Sequence, residues 1–157
     1  MKLPPFQLLL DEHARDVHRF LTASVGCDAA DDCYQETWVA ALRAYPTLRR
    51  DDNIRGWLFT IAHRKAIDHL RSRQRAAVPA AELPEIPVRD SDPGDSPWPV
   101  VAQLPPKQRM AVALRYALDA DYTAIAATME ISEEAARRNV HEGLKRLREE
   151  YGRDGLA

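Results

Sequence analysis

The sequence predicts an all-α protein in which two small helical domains are joined by a proline-rich, acidic linker. Several segments repeat apolar residues at spacings of three and four, which is typical of amphipathic helices, and none alternates as a strand does. The segment 76–99 carries six of the eleven prolines. Because proline has no backbone N–H and disfavours helical geometry in the residue before it, no regular element can run through that segment. We therefore predict domains at 1–75 and 98–157, with the linker at 76–97.

Three amphipathic helices are predicted in the first domain. The first, LLLDEHARDVHRFLTASVG, ends near Gly26. The second spans Asp31 to Tyr45 and ends before Pro46, and the third runs from about Ile54 to Arg75. The predicted inner faces are Tyr34, Trp38, Leu42 and Tyr45 in the second helix, and Ile54, Trp57, Leu58, Ile61, Ala62, Ala66 and Leu70 in the third.

The second domain is predicted to open with a short turn or helix and to continue with three helices. Pro106 suits the first turn of a helix, where its missing N–H needs no partner. Asp121 is predicted to cap a short helix that ends at Met129, and Ser132 to cap the last helix, because their side-chain oxygens accept hydrogen bonds from backbone N–H groups. The predicted inner side chains are Met110, Val112, Leu114 and Leu118, followed by Ile125, Ala126 and Met129.

Charge is distributed along the chain in blocks. The formal net charge is only −2 at pH 7. The segment 49–75 nevertheless holds eight Lys and Arg against three Asp, a local charge of +5, and 76–99 holds one Arg against five acids, a local charge of −4. A basic block beside an acidic one is more informative about partners than the sum.

Several function classes are not supported by the sequence. There is no apolar run of about 18 residues and no signal-peptide pattern, so we expect a cytoplasmic protein without a membrane span. Cys27 and Cys33 are separated by five residues, which fits neither a CxxC redox pair nor a zinc pattern, and we expect buried thiols. The five histidines are scattered. We therefore expect no metal, no cofactor and no enzymatic activity.

The segment YTAIAATMEISEEAARRNVHEGLKRLR is typical of a helix-turn-helix. In that motif the N-terminal half of the second helix faces base edges in the major groove. Here that half carries Arg137, Arg138 and His141, and arginine can bind guanine O6 and N7 with two hydrogen bonds. Lys145 lies further along, where phosphates are the expected contact. The turn places Glu130 where glycine would be easier if the backbone takes a positive φ. The alternative is a plain helical hairpin with a charged outer face.

Two other surfaces in the first domain suggest partners. The third helix carries Arg64, Lys65 and Arg71 beside the polar loop TLRRDDN, and arginine can bind phosphates and stack on exposed bases. A solvated, arginine-rich helix end is the alternative. The second helix exposes acidic and polar side chains that DNA would repel, which suggests a protein partner with a basic surface. Solubilising charge is the alternative there.

These segments together resemble the sigma-70 family of RNA polymerase initiation factors, in its small two-domain extracytoplasmic-function group. DAADDCYQETWVAAL resembles the segment that binds core polymerase. GWLFTIAHRKAIDHLRSRQR resembles the segment that melts and reads the −10 element, and LPPKQRMAVALRYALDADYTAIAATMEISEEAARRNVHEGLKRLR resembles the domain that reads the −35 element. The resemblance covers about 8–75 and 98–150, with the motifs in the family's order.

The resemblance implies a role for each matching position. Binding to core polymerase, or support of that surface, is implied for Asp31, Asp32, Gln35, Glu36 and Trp38. Contacts with the melted −10 element are implied for Arg64, Asp68 and Arg71, and for Arg49, Arg50 and Asn53 in the loop that captures a flipped base. Reading of the −35 element is implied for Arg137, Arg138 and His141, with Lys145 beside them. The acidic linker would thread the RNA exit path of the polymerase.

The implied function is a transcription initiation factor that binds core RNA polymerase and promoter DNA and is controlled by an anti-sigma factor. Two positions depart from the family. Arg64 stands where many relatives carry asparagine, which allows a different base preference or a phosphate contact. Glu142 stands where relatives often carry arginine, and its carboxylate would cost affinity for DNA unless Arg138 or Arg146 pairs with it. The alternatives are a helix-turn-helix regulator that binds DNA alone, and a decoy that sequesters an anti-sigma factor.

Overall fold

A computed structural model of the chain describes residues 3–49, 53–76 and 101–153. Its α-helices, in chain order, are α1 (Phe6–Val25), α2 (Cys27–Ala44), α3 (Ile54–Ala76), α4 (Pro106–Ala117), α5 (Tyr122–Met129) and α6 (Glu133–Arg153). A 3-10 turn, Tyr45–Thr47, follows α2. No strand occurs among the described residues, and the predicted all-α class is confirmed. The predicted linker lies outside the described residues apart from Ala76, which ends α3.

The junction between α1 and α2 is a single glycine. Gly26 takes φ 89°, and its backbone N–H donates to the carbonyl of Thr22, which ends α1 where the sequence predicts. Glycine occupies this left-handed region without the steric cost that a Cβ would bring. The second helix begins at Cys27, four residues before its predicted start, with Asp28 in its first turn. An acid there is favourable because the N-terminal end of a helix carries partial positive charge.

The inner face of α2 differs from the predicted stripe. Cys33, Thr37, Trp38 and Ala41 are buried, whereas Leu42 is 55% exposed, so its prediction as a core residue is wrong. Small side chains at spacings of three and four let α2 approach its neighbours α1 and α3 closely. Leu42 lies on the side of α2 that these neighbours leave uncovered, and it therefore faces outward.

The third helix is buried on more than one side. Leu58, Ala62 and Ala66 lie in the core as predicted, and the sequence analysis missed Phe59 and His63, which are also buried. The remaining predicted core residues are only partly buried: Ile54, Trp57, Ile61 and Leu70. The burial of Phe59 and His63 follows from the position of α3, which packs against α1 and α2 on one side and against α5 on another.

The caps predicted in the second half are present. Asp121 Oδ1 accepts from the backbone N–H of Ala124 at 2.7 Å, and Ser132 Oγ accepts from that of Ala135 at 3.1 Å. The first helix of this half begins at Pro106, and Glu130 ends α5 in the left-handed conformation with φ 58°. These contacts set the start and end of α5 and the start of α6.

A buried arginine holds the turn that precedes α4. Arg109 donates from Nη1 to the carbonyls of Ala102 and Leu104, both at 3.2 Å. Burial lowers the pKa of its guanidinium to about 10, so the group stays charged at neutral pH. The two carbonyls partly compensate that buried charge, and they fasten 101–104 to α4.

The two halves of the described chain share a core. In addition to the α3 contact with α5, α1 packs against α4. Buried residues of all six helices form one hydrophobic cluster, which includes Phe20 and Leu58 from the first half and Leu114, Ile125 and Val140 from the second. The predicted domain boundaries at 1–75 and 98–157 stay a prediction, but their helices lie against one another in this arrangement.

The burial of His63 predicts a dependence of stability on pH. Its side chain is 7% exposed, and burial lowers its pKa from 6.5 to about 4, with Glu130 raising it and Arg64 lowering it to smaller extents. The folded protein therefore keeps His63 neutral at a pH where the unfolded chain binds a proton. We expect the free energy of unfolding to fall as pH is lowered from 6.5 to about 4, by on the order of 3 kcal/mol from this residue.

Urea denaturation of His63→Phe and of the wild type across that range measures this contribution. The variant should lose less stability on acidification than the wild type, because it has no buried imidazole to protonate. His141→Phe changes an exposed histidine on α6 and serves as the matched control. If the free energy of unfolding fell equally with pH for His63→Phe and for the wild type, the contribution assigned to His63 would be contradicted.

The contact between α4 and α6 predicts an unusual effect of alanine at Gly143. A Cβ there would lie 2.6 Å from Cγ2 of Val112, which is buried in α4. Alanine in a helix normally gains about 0.5–1 kcal/mol over glycine, but overpacking costs about 1–3 kcal/mol. We expect Gly143→Ala to lower the free energy of unfolding by roughly 1 kcal/mol, measured by urea denaturation.

The Val112→Ala background supplies the control for this substitution. With the valine methyl groups removed, the clash is relieved, and Gly143→Ala should become neutral or stabilising. A stabilising effect of Gly143→Ala in the wild type would show that α6 does not approach α4 as closely as described.

Candidate nucleic-acid and protein interfaces

The recognition surface predicted on α6 faces outward. Arg137, Arg138, His141 and Lys145 are all exposed, whereas Ala136 and Val140 on the same helix are buried in the core. This division follows the helical period, since the two buried residues are four apart and the exposed residues lie between and beyond them. The structure therefore brings the four predicted side chains onto an accessible part of one helix.

Two arginines flank one aromatic ring beside this surface. The guanidinium carbons of Arg115 in α4 and Arg137 in α6 each lie 5.1 Å from the ring centroid of Tyr122, the first residue of α5. Arg115 also donates from Nη1 to the carbonyl of Ala120 at 3.2 Å. A cation at this distance is attracted to the face of a tyrosine ring. The sequence analysis missed Arg115 and Tyr122, because their positions carry no spacing signal for a contact with Arg137.

The starts of α5 and α6 are also joined directly. Thr123 Oγ1 donates to Glu133 Oε1 at 2.8 Å. With the caps at Asp121 and Ser132, this bond positions the N-terminal turn of α6 relative to α5. Glu142 is exposed, and within the described part of the chain no ion pair joins it to Arg138 or Arg146. The pairing that would offset the charge of Glu142 is therefore not found.

One arginine of the basic surface predicted on α3 is already paired with another residue of the same chain. Arg64, Asp68 and Arg71 are exposed. Arg64 nevertheless forms an ion pair with Glu130, from Nη2 to Oε1. That contact raises the pKa of the arginine, through its hydrogen bond first, and lowers the pKa of the carboxyl group.

The loop before α3 is described only in part. Arg49 and Asn53 are exposed, and Arg50 lies outside the described residues. Asn53 has a local structural role, since its Oδ1 accepts from the backbone N–H of Gly56 at 3.1 Å and so caps the start of α3. The predicted loop residues are thus placed at the N-terminal end of α3, while Arg64 lies further along that helix.

The acidic surface predicted on α2 is exposed, with one exception. The side chains of Asp31, Asp32, Gln35 and Glu36 face outward, and Asp31 Oδ1 lies 3.2 Å from Nε2 of His18 in α1. Trp38 is only 6% exposed. Its ring lies edge-on to Phe6 and Tyr34, with centroid distances of 5.8 and 6.1 Å. Trp38 therefore supports the surface from beneath rather than forming part of it.

Two apolar side chains extend the α2 surface. Val39 is 49% exposed and Leu42 is 55% exposed. Val39 follows Gln35 by four residues and Glu36 by three, and Leu42 follows Gln35 by seven. These spacings place the four side chains on the same outer face of α2. The sequence analysis missed this feature because it assigned Leu42 to the core. An apolar patch with a polar border is typical of a surface that binds another protein.

The expectation of buried thiols holds for Cys33 and is wrong for Cys27, which is only half-buried. Cys33 is buried, and burial raises the pKa of its thiol to about 11, with Glu36 and Asp32 acting in the same direction. A thiol with such a pKa is protonated at neutral pH and is a poor nucleophile. Within 3–49, 53–76 and 101–153, no three histidine, cysteine or acidic side chains are grouped so that they could hold a metal ion.

Family models match both halves of the chain. Sigma-70 region 2 matches residues 9–76, and Sigma-70 region 4 matches residues 100–147. The first interval contains the α2 and α3 surfaces, and the second contains α4, α5 and most of α6.

Individual relatives agree with these matches. The chain is 32% identical to the RNA polymerase sigma factor CarQ of Myxococcus xanthus over 94% of this chain and 89% of that protein. It is 34% identical over 70 residues to the ECF RNA polymerase sigma factor SigX of Bacillus subtilis, covering 44% of this chain and 36% of that protein.

Solved structures show the same fold. The sigma factor RpoE of Bartonella quintana, in complex with the anti-sigma factor NepR, superposes with a TM-score of 0.76 at 21% identity, covering 94% of this chain and 96% of that one. CnrH in complex with the cytosolic domain of CnrY superposes with a TM-score of 0.69 at 18% identity, covering 96% and 89%. None of the described helices is both long and apolar enough to cross a membrane. The chain belongs to the sigma-70 family of RNA polymerase sigma factors, in its extracytoplasmic-function (ECF) group.

Proposed function

We propose that this protein binds core RNA polymerase, directs it to promoters with particular −35 and −10 elements, and assists opening of the DNA strands. The observation that carries the proposal is the order of three surfaces on a chain of this family. An acidic and apolar surface lies on α2, a basic one on α3, and a basic recognition helix follows at α6. Polymerase performs the bond-forming chemistry, so this protein acts as a specificity subunit and not as an enzyme, in the cytoplasm where the polymerase works.

The α2 surface is the proposed contact with polymerase. Val39 and Leu42 would bury apolar area toward its C-terminal end, while Asp31, Asp32, Gln35 and Glu36 would meet a basic part of the partner in the preceding turns of the helix. Burial of apolar area supplies affinity, and complementary charge sets the orientation and speeds the encounter. Trp38 holds the patch from beneath. Because these acids face a protein partner and not DNA, the chain can bind DNA although its net charge is not positive.

The −10 contacts are proposed for the residues at the start and along α3. These are Arg49, Arg50, Asn53, Arg64, Asp68 and Arg71. Unstacking and extruding a base costs a few kcal/mol of free energy. Guanidinium groups that bind phosphate or stack on the extruded base offset that cost. The same mechanism would stabilise the open strand after polymerase has brought the DNA to α3.

The −35 contacts are proposed for Arg137, Arg138 and His141, with Lys145 at a phosphate. An arginine that binds a guanine with two hydrogen bonds must adopt one orientation. If the side chain is free in solution, it loses conformational entropy on binding, and this lowers the affinity. The face of Tyr122 restricts Arg137 before DNA arrives. Tyr122 is therefore proposed as a positioning residue for Arg137.

An anti-sigma factor is proposed as a further partner. Both solved structures described above were obtained with a protein partner, named as an anti-sigma factor in the case of RpoE. The exposed α2 patch is available for such a protein as well as for polymerase, which would make the two partners compete.

Transcription in vitro tests the proposed function. The purified chain is added to core polymerase that lacks sigma, with a library of fragments from the host genome, and run-off transcripts are sequenced. We expect discrete start sites. We expect Gln35→Ala/Glu36→Ala to reduce the yield about ten-fold by weakening core binding, and Leu42→Ser to act in the same direction.

Matched controls for the α2 surface lie on α1. Gln7→Ala/Asp11→Ala removes an exposed amide and an exposed acid, and Leu8→Ser removes a leucine that is 56% exposed. These variants should transcribe as the wild type does. Absence of transcripts with folded protein would reject the proposal. In that case, DNA fragments retained by the protein in the absence of polymerase would indicate a regulator that binds DNA alone. If the protein retained no fragment, a decoy that sequesters an anti-sigma factor would be indicated.

The arrangement of Tyr122 predicts a selective loss of −35 discrimination. Tyr122→Leu removes the ring faces and should reduce the preference of the holoenzyme for an intact over a scrambled −35 element by about three- to ten-fold. Tyr122→Phe keeps the ring and should retain most of the preference. The measurement is the ratio of dissociation constants on two promoter fragments that differ only in that element.

A double-mutant cycle separates positioning from a contact of Tyr122 itself. In the Arg137→Ala background, Tyr122→Leu should change the preference little further, because the side chain that it positions is gone. Equal losses for the leucine and phenylalanine variants, or additive losses with Arg137→Ala, would contradict this role.

A further inference from the structure

The carboxylate of Asp31 is held by a histidine of the neighbouring helix. Asp31 Oδ1 lies 3.2 Å from Nε2 of His18 in α1. Because an ionised carboxylate only accepts hydrogen bonds, Nε2 is the ring nitrogen that carries the proton and donates. The side chains of His18 and Asp31 are 47% and 77% exposed. The contact therefore lies at the surface, and the second carboxylate oxygen is accessible to a partner.

This contact distinguishes Asp31 from the other polar residues of the α2 surface. Among the described residues, no hydrogen bond or ion pair joins the side chains of Asp32, Gln35 or Glu36 to another helix. The histidine belongs to α1, which the sequence analysis did not connect with this surface. The two residues are 13 positions apart in the chain and meet because the turn at Gly26 folds α2 back along α1.

The imidazole ring is itself fixed by contacts that lead back to the core. It lies edge-on to the ring of Tyr34, with a centroid distance of 5.6 Å and an interplanar angle of 75°. Tyr34 in turn lies edge-on to Trp38, at 6.1 Å and 73°, and Trp38 is buried. Aromatic rings attract one another in this geometry, since the positive edge of one meets the negative face of the other. The orientation of Asp31 is thus linked through two rings to a core residue.

The second ring nitrogen faces the helix to which the histidine belongs. Thr22, one turn further along α1, has its Oγ1 3.5 Å from Nδ1 of His18. The same hydroxyl donates to the His18 backbone carbonyl at 2.8 Å. One edge of the imidazole is therefore directed to α1 and the other to α2, which leaves Nε2 for the carboxylate.

The contact contributes little to the packing of the two helices. Buried apolar side chains, among them Val17, Phe20 and Ala30, already join α1 and α2 in the core. Half-exposed polar contacts add little stability, because water competes for both partners. The main consequence of the contact is therefore the orientation of the Asp31 side chain.

An oriented carboxylate binds a basic partner more tightly than a free one. A surface carboxylate that rotates freely loses conformational entropy when a partner fixes it, and a carboxylate that is already held loses less. Unlike arginine, histidine can donate from Nε2 without carrying a positive charge. The negative charge of Asp31 then remains available to the partner while its direction is set.

We propose that His18 is a positioning residue for the binding of polymerase: it holds the Asp31 carboxylate in the orientation in which a basic group of the polymerase meets it. The inference rests on the proposed function of the α2 surface, and it extends the functional residues of that surface to α1. His18 acts through Asp31, so a direct contact with polymerase is not required.

Titration of the full-length chain with core polymerase tests this role through the dissociation constant. His18→Leu removes the donor and should raise Kd by about two- to five-fold, the range of an exposed contact, while urea denaturation shows little change in stability. His18→Gln, whose amide N–H reaches about as far as Nε2, should retain the Kd of the wild type. Gln7→Leu is the matched control, since Gln7 Nε2 donates to Asp11 Oδ1 at 2.9 Å elsewhere on α1, and it should leave Kd unchanged.

A double-mutant cycle and the dependence of Kd on salt separate orientation from charge. In the Asp31→Ala background, His18→Leu should raise Kd little further, because the group that it orients is gone. Asp31→Ala should make Kd less dependent on salt, since one charge is lost. His18→Leu should leave that dependence as in the wild type, because the carboxylate keeps its charge.

The possible outcomes distinguish the role of His18 from the proposed function. Equal Kd values for His18→Leu and the wild type, or additive losses with Asp31→Ala, would overturn the positioning role while polymerase binding stands. A weaker salt dependence for His18→Leu would show that the histidine acts through its own charge, which also overturns that role. Failure of the wild type to bind core polymerase would overturn the proposed function and, with it, the role of His18.

Discussion

The burial of α3 on two sides is the constraint on which the rest of the arrangement depends. One part of its surface completes the core with α1 and α2, and another packs against α5. Because neighbours cover α3 on two sides, Phe59 and His63 are buried beside Leu58 and Ala62. The helix that carries predicted −10 residues therefore also joins the two halves of the chain, together with the contact of α1 with α4.

Charge has two kinds of role in this protein. Asp31, Asp32 and Glu36 are displayed on the outer surface of α2, where a basic protein partner would meet them. Glu130 instead forms an ion pair with Arg64 of the same chain, at the surface. A carboxylate next to a candidate DNA-binding arginine competes with phosphate for the same donors, since both are anions that accept hydrogen bonds from guanidinium. A net charge near zero is thus compatible with DNA binding, because acids on α2 and basic side chains on α6 lie on different surfaces.

The recognition helix is positioned by small local contacts in addition to its packing against α4 and α5. Caps at Asp121 and Ser132 determine where α5 and α6 begin, and Gly143 permits a close approach of α6 to Val112. Tyr122 then restricts Arg137 from the neighbouring helix. Each contact removes freedom from α6 before DNA binds, and preorganisation of this kind increases affinity because less entropy is lost on binding.

The sequence by itself determined the helices, their caps and the family, since these depend on local chemistry: apolar spacing, side chains that bind nearby N–H groups, and proline. The Asp121 and Ser132 caps and the start of α4 at Pro106 are of this kind, and so are the exposed arginines of α6. Only the tertiary structure decided that Leu42 faces outward, that Trp38 lies beneath its surface, and that Arg64 pairs with Glu130. These features depend on which helix covers which face, and residues 66 positions apart in the chain meet only after the helices have packed.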